Sequence, residues 1–398
     1  MKLITIRDLG RVVTGHTPPT KNREYYGDFY PFVKPTDMNI GEKYTYYTEE
    51  GYSELAYNKY KTSLIPKGST CVVCIGTLGE KMTMAHCDLF TNQSVNSIIP
   101  SESYDNHYVY YLLKHNLGKV KALNKGTASG REFVSKTTFL DMPIFVHEDI
   151  EEQKRIGEIL SSYDNLIENN QKQIKLLEEA AQRLYKEWFV DLRFPSHEST
   201  EIVDGVPKGW RKVELSEIAA VNKQSISKNY SYRFIDYIDL GSVRNGYIES
   251  STRFSLDEAP GRAKRIASDG DIIWGMVRPN LKSYALIMNP KNTNIFSTGF
   301  AILTAEKAPF SFLYCCVTQE DYVRYLVNCT NGAAYPAVKP SHFEASIVLL
   351  PTDEILEQFD LLAEPLYRKI EILKRQINNL KEARDRLLPK LMSGELEV

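Results

Sequence analysis

An internal repeat limits what this chain can fold into more than any other part of its sequence. The segment Gln173-Ile-Lys-Leu-Leu-Glu-Glu-Ala-Ala-Gln-Arg-Leu-Tyr185 returns 203 positions later as Gln376-Ile-Asn-Asn-Leu-Lys-Glu-Ala-Arg-Asp-Arg-Leu-Leu388. Seven positions are identical: Gln173/Gln376, Ile174/Ile377, Leu177/Leu380, Glu179/Glu382, Ala180/Ala383, Arg183/Arg386 and Leu184/Leu387. Residues 4–12 also share an apolar pattern with residues 213–221. Charge follows the same division. Basic and acidic residues number 17 and 16 in 1–150, 7 and 9 in 151–195, 17 and 16 in 196–350, and 8 and 10 in 351–398. Two Leu/Glu/Arg-rich helices can match by chance, but four segments agreeing in order read as a tandem duplication. The 398 residues would fill about 2.7 domains of ordinary size, which also calls for several units.

Each repeat reads as a mixed globular part followed by a long helix, an α+β architecture. Short β-type runs such as Ser69-Thr-Cys-Val-Val-Cys-Ile75 and Asp271-Ile-Ile-Trp274 follow Gly68 and Gly270, and are expected to form strands of a curved sheet. Helices are expected near residues 108–114 and 310–316. The expected boundaries are a first globular domain at 1–149, a central helix at 150–195, a second globular domain at 196–350 (with 196–212 as linker) and a carboxyl-terminal helix at 351–398. From Ile156, alternating steps of four and three select Ile156, Leu160, Tyr163, Ile167, Asn170, Ile174, Leu177, Ala181, Leu184 and Trp188. The same stripe returns as Phe359, Ala363, Leu366, Ile370, Leu373, Ile377, Leu380, Arg384, Leu387 and Leu391. Heptads sustained this long predict two helices that pair as a coiled coil, with Asn170 a polar seam position able to fix register. Asp149 with Glu152 reads as an amino-terminal cap, and Pro365 should kink or restart the second helix.

Composition excludes several classes. Hydrophobic residues at 42% and charged residues at 25% are the balance of a folded chain, not a disordered or collagen-like one. The opening Met1-Lys2-Leu3-Ile4-Thr5-Ile6-Arg7-Asp8 has no signal-peptide pattern, and no run of 18 apolar residues exists, so a cytoplasmic protein without a membrane segment is expected. Six unevenly placed cysteines do not suggest a disulfide framework. Cys71 and Cys74 should point to opposite sheet faces. The seven histidines lack ligand spacing, and no metal site is expected. Phosphate-binding, dinucleotide, zinc-protease and lipase motifs are missing, as is an amino-methyltransferase tetrapeptide, since Asn289-Pro290 is followed by Lys291. No catalytic residue is therefore expected.

Net charge is only −2, so any nucleic-acid contact must arise from local patterning. Basic residues gather with amides and aromatics in candidate loops. In the first half these hold Lys21, Arg23, Lys34, Lys81, Asn92, Gln93, Lys125 and Arg131. In the second they hold Lys223, Lys228, Arg244, Arg262, Lys264, Arg265, Arg278, Asn280, Lys282, Tyr335 and Lys339. Arg can bond guanine bidentately, Asn and Gln can do the same with adenine, and Lys or backbone amides can hold phosphate. The rigid Pro279 should aim Arg278 outward.

These residues sit in a sequence that resembles the specificity subunits of type I restriction-modification systems along its full length. The resemblance rests on Ile6-Arg-Asp-Leu-Gly-Arg-Val-Val-Thr-Gly-His-Thr-Pro18, Glu151-Glu-Gln-Lys-Arg-Ile-Gly-Glu-Ile-Leu160, Ala334-Tyr-Pro-Ala-Val-Lys-Pro-Ser341 and Leu387-Leu-Pro-Lys-Leu-Met-Ser-Gly-Glu395. Residues 221–228 depart from the Thr-Gly-His-Thr-Pro pattern. The resemblance implies antiparallel helices separating two target-recognition domains, each reading one half of a split site in double-stranded DNA. It further implies two modification subunits that methylate adenine with S-adenosylmethionine, and restriction subunits that use ATP and Mg, with no cofactor on this chain. A structural coiled-coil adaptor without DNA contacts and a self-sufficient DNA methyltransferase or nuclease remain the alternatives.

Overall fold

The computed structural model describes residues 1–124, 132–227, 230–330 and 336–398. It divides into two compact units, Met1–Asn170 with Gln376–Val398, and Gln171–Arg375.

In the first unit, Lys2–Thr5 pairs antiparallel with Pro143–Val146 and so ties together the two ends of the globular part. The main sheet runs in the order Gly10–Thr14, Val95–Pro100, Thr70–Val73, Met82–Met84, all antiparallel. A second sheet orders Glu50–Tyr52, Tyr26–Val33 and Phe90–Thr91, with the last pair parallel. Both faces of Thr70–Val73 are buried, so its run is buried throughout instead of alternating with exposed residues. Cys71 joins the core around Val33, Met38 and Leu89, whereas Cys74 joins the one around Tyr108, Ile156 and Leu391, as strand parity predicted. Burial raises the two thiols to about 12 and about 11, which leaves them unreactive. The helix Asn106–His115 is capped by Asp105, whose carboxylate accepts from the Tyr108 amide at 2.8 Å.

The second unit repeats this plan. Arg211–Glu214 pairs with Ile347–Leu350, and the main sheet runs Ala219–Val221, Phe300–Ala305, Ile272–Gly275, Tyr284–Leu286. The other sheet runs Thr252–Ser255, Phe234–Ile238, Asn294–Ser297, Ala263–Arg265, again with one parallel pair, Phe234–Ile238 with Asn294–Ser297. Phe310–Thr318 takes the place of Asn106–His115. The repeated strand order is strong support for duplication, because it repeats non-local pairings that a helix pattern alone does not encode.

The central helix spans Ile150–Tyr185 and ends in a π turn at Lys186–Val190. Asp149 caps it through the Glu151 amide at 3.0 Å, while Glu152 turns to His147 at 3.6 Å and does not close a capping box. The carboxyl-terminal helix Asp353–Ser393 continues through Pro365, contrary to the expected restart. Pro365 is exposed, and the carbonyl it leaves unbonded belongs to Leu361, which is 75% exposed. Water can satisfy that carbonyl, so the helix need not end.

Within the first unit the two helices run antiparallel: Arg155 Nε donates to the Val398 carbonyl at 2.9 Å, and Asn170 Nδ2 donates to Gln376 Oε1 at 3.3 Å. In the second unit Tyr185, Trp188 and Phe189 of the central helix interlock with Phe312 and Phe359. Among the seam candidates, Ile167, Asn170, Ile174, Ile370, Leu373 and Ile377 are buried. Leu177, Leu184, Leu380 and Leu387 are half-buried.

Candidate nucleic-acid interface

The turns that follow one pair of equivalent strands carry Lys81 in the first unit and Arg278, Asn280 and Lys282 in the second. After Thr70–Val73 the chain turns at Gly76, whose amide donates to the Glu132 carbonyl at 3.0 Å. After Ile272–Gly275 it turns at Arg278, whose amide donates to the Pro336 carbonyl at 2.8 Å. Bridges Ile75↔Phe133 and Val277↔Ala337 fix the equivalence. Gly76 takes φ +95°, which glycine adopts freely, but Arg278 takes +50°, which is unfavourable for an L side chain. Arg278 is exposed, followed by a tight turn at Pro279–Leu281 that holds exposed Asn280. Lys282, at φ +54°, closes the turn with its ammonium on Glu320.

Several predicted cations already have partners inside the chain. Lys34 meets Glu49 at 2.9 Å and Glu50 at 3.2 Å, Lys81 donates to the Pro35 carbonyl at 2.8 Å, and Lys223 meets Glu306 at 3.0 Å. Asn92 accepts from the Ser94 amide at 3.1 Å, and Gln93 accepts from the Thr17 hydroxyl. Arg265 is half-buried with Nε lacking a partner, and desolvation lowers its pKa. Lys21, Arg23, Arg244, Arg262, Lys264 and Lys339 are exposed, and Arg23 lies 6.0 Å from the Tyr26 ring. Lys125, Arg131, Lys228 and Tyr335 lie outside the described residues.

The structure adds a group that the sequence reading missed. On the sheet containing Phe234–Ile238, Phe234 is 41% exposed, with the guanidinium of Arg233 at 5.6 Å and that of Arg253 at 5.2 Å from its ring centre. The alternation Phe-Ile-Asp-Tyr-Ile signals a strand, but gives no hint that Arg253 lies across from it.

Among the described residues no group of three or more His, Cys, Asp or Glu side chains is gathered to hold a metal ion. Nor is any helix among them long and apolar enough to cross a membrane.

The twin sheet frameworks with unlike loops, joined by shared helices, define a duplicated recognition scaffold. The sequence profile of the type I restriction modification DNA specificity domain matches residues 1–179. The MjaIX specificity subunit of Methanocaldococcus jannaschii is 30% identical over 407 residues, covering 99% of this chain and 93% of its own. The HindI specificity subunit of Haemophilus influenzae is 37% identical over 109 residues, covering 27% of this chain and 23% of its own. The type I S subunit of M. genitalium has a similar fold, with a TM-score of 0.63 and 18% identity over 98% of this chain and 95% of that one. The chain belongs to the family of type I restriction enzyme specificity subunits.

Proposed function

We propose that this chain is the DNA-addressing subunit of a type I restriction-modification complex, reading a bipartite site with one half-site per recognition domain. The observation that carries the reading is the full-length match to a specificity subunit. Two copies of one sheet framework with different loops at matching turns support it, since a shared scaffold with changed loops is how two different sequences are read. The chemistry falls to partners: modification subunits bringing S-adenosylmethionine for adenine methylation, and restriction subunits bringing ATP and Mg. The expected setting is the cytoplasm. The helices serve as docking rods and as the ruler for the unread spacer, so a heptad added to both should lengthen the preferred spacer while leaving the half-sites unchanged.

The test is selection from a randomised duplex library by the full chain assembled with its modification subunits, alongside methylation-site sequencing of the host genome. A split motif common to both methods is expected. No sequence preference in either would sink the reading, and methylation or cleavage by the chain alone would favour a self-sufficient enzyme.

A further inference from the structure

Resting on that reading, we propose that Arg233, Phe234 and Arg253 form a clamp for DNA phosphates in the second recognition domain, with no like arrangement among the described residues of the first. The ring lies within cation-π reach of both guanidiniums, so it limits their freedom and lowers the entropy lost on gripping a ligand. Arg233 makes no ion pair among the described residues. Arg253, with 69% of its side chain exposed, has one carboxylate neighbour, Asp236, no closer than 4.0 Å. Two weakly compensated, planar cations around an exposed apolar ring suit a phosphodiester backbone, because guanidinium nitrogens match phosphate oxygens in pairs. The far strand of the same sheet, Ala263–Arg265, adds exposed Lys264, two strands from that of Phe234, or roughly 10 Å at the usual strand spacing.

The first domain keeps the ring, but among its described residues no guanidinium lies over it; its Arg23 sits instead at the Tyr26 ring, 6.0 Å from the centre. Register aligns Phe32 opposite Phe90 with Tyr237 opposite Ile295, which places Gly51 at Arg253; counting back along the strand into its irregular stretch between Tyr26 and Tyr30 brings Phe29 to Phe234 and Asp28 to Arg233. Phe29 is 50% exposed and packs against Tyr30 and Tyr57 instead. A Cβ at Gly51 would lie 2.3 Å from the Gly27 carbonyl oxygen, so that strand has no room for any side chain there. The place of the clamp is taken by a hollow of about 540 Å³ whose lining sets one cation, Arg23, against Asp28, Glu49 and Glu50. The two domains therefore hold DNA by different means despite their common fold.

The experiment measures the salt dependence of binding by the full chain with its modification subunits, using the duplex selected from the randomised library. Arg233→Gln and Arg253→Gln should each weaken binding evenly across sequences and flatten the slope of log affinity against log salt by about one, and by about two together. Arg→Lys at both positions should keep the slope, because charge alone sets it. Phe234→Leu should weaken binding with the selected motif intact, Phe234→Tyr should restore it, and Phe234→Leu should add little once both arginines are gone. An unchanged slope in the double Gln variant overturns the clamp, as does an altered second half-site, which would make these residues base readers. If the unaltered chain selects no sequence, the DNA-addressing reading itself fails. If it selects one and the variants bind equally well, only the clamp fails.

Discussion

Arg384 of the carboxyl-terminal helix donates to the carboxylate of Asp164 on the central helix, with side chains only 4% and 7% exposed. Tyr111 completes the node by donating to the other Asp164 oxygen at 2.5 Å. The helix repeat makes Tyr367 the counterpart of Asp164 and Ala181 that of Arg384, while Cys315 replaces Tyr111. There the Cys315 thiol lies 2.9 Å from the Tyr367 hydroxyl and 3.9 Å from the Ala181 carbonyl. One position in the fold is thus charged in the first unit and neutral in the second. Asp164→Ala should cost up to about 3 kcal/mol, because it removes the buried partner of the Arg384 guanidinium and leaves it only Asp385, at 2.8 Å and 57% exposed. Adding Arg384→Ala should recover part of that loss. Denaturant unfolding of the single and double variants checks this, and additive losses would show that the pair is not coupled.

The same unit buries two ammonium groups near that node. Lys43 Nζ donates to Ser161 Oγ at 2.8 Å and lies 3.0 Å from His107 Nδ1, and Lys114 Nζ is buried 5.9 Å from the Tyr110 ring centre with no hydrogen-bond partner among the described residues. Burial holds both at about 8, against the pull of Asp164. With folded values below the ordinary 10.5, the unfolded chain binds more protons across that interval. Stability should therefore rise with pH from about 8 to about 9. Above that the rise should be offset and then reversed, because burial raises Cys71, Cys74, Cys315 and Cys316 from 9.0 and Tyr110 and Tyr111 from 10.0, so the unfolded thiols and then the unfolded tyrosines ionise first. Thermal midpoints against pH test this. Lys114→Met should flatten the rise, and an equally steep rise in that variant would dismiss Lys114 as a source.

Docking of modification subunits should use the outer face of the carboxyl-terminal helix. Leu361 is 75% exposed and Ile372 is 41% exposed, and eleven residues at about 3.6 per turn return to nearly the same side. Leu361→Glu with Ile372→Glu should leave the melting temperature nearly unchanged and weaken assembly at least tenfold in a titration with modification subunits. Undiminished assembly would place the contact elsewhere.

The duplication, the strand at residues 70–73 and the opposed cysteines could be read from the sequence because each depends on local periodicity or parity. Asp164 could not. Counting by heptads from Ile156 selects Tyr163, whereas the buried face of the central helix also takes in Gln153, Ser161 and Asp164. The globular part packs beside the partner helix, so the covered face is wider than a two-helix seam. The interface was legible as loops rather than as residues. Nothing local shows that Lys34 is held by Glu49 and Glu50, or brings Arg253 to Phe234, because both depend on pairing across the sheet.

Arg278 offers the sharpest test, because its backbone and its side chain make opposite predictions. Its left-handed conformation should cost about 1–2 kcal/mol, which glycine would avoid, although glycine gives back part of that gain through the greater freedom of the unfolded chain. Arg278→Gly should therefore leave stability unchanged or raise it by up to about 1 kcal/mol. If the guanidinium reads a base, the same change should weaken binding by about 1–3 kcal/mol and relax only the second half-site. Arg278→Ala should lose the same affinity while keeping the strain. Thermal melts and library selection on both variants separate the two effects. A stable Arg278→Gly protein with the original motif and affinity would show that the strained arginine does not touch DNA.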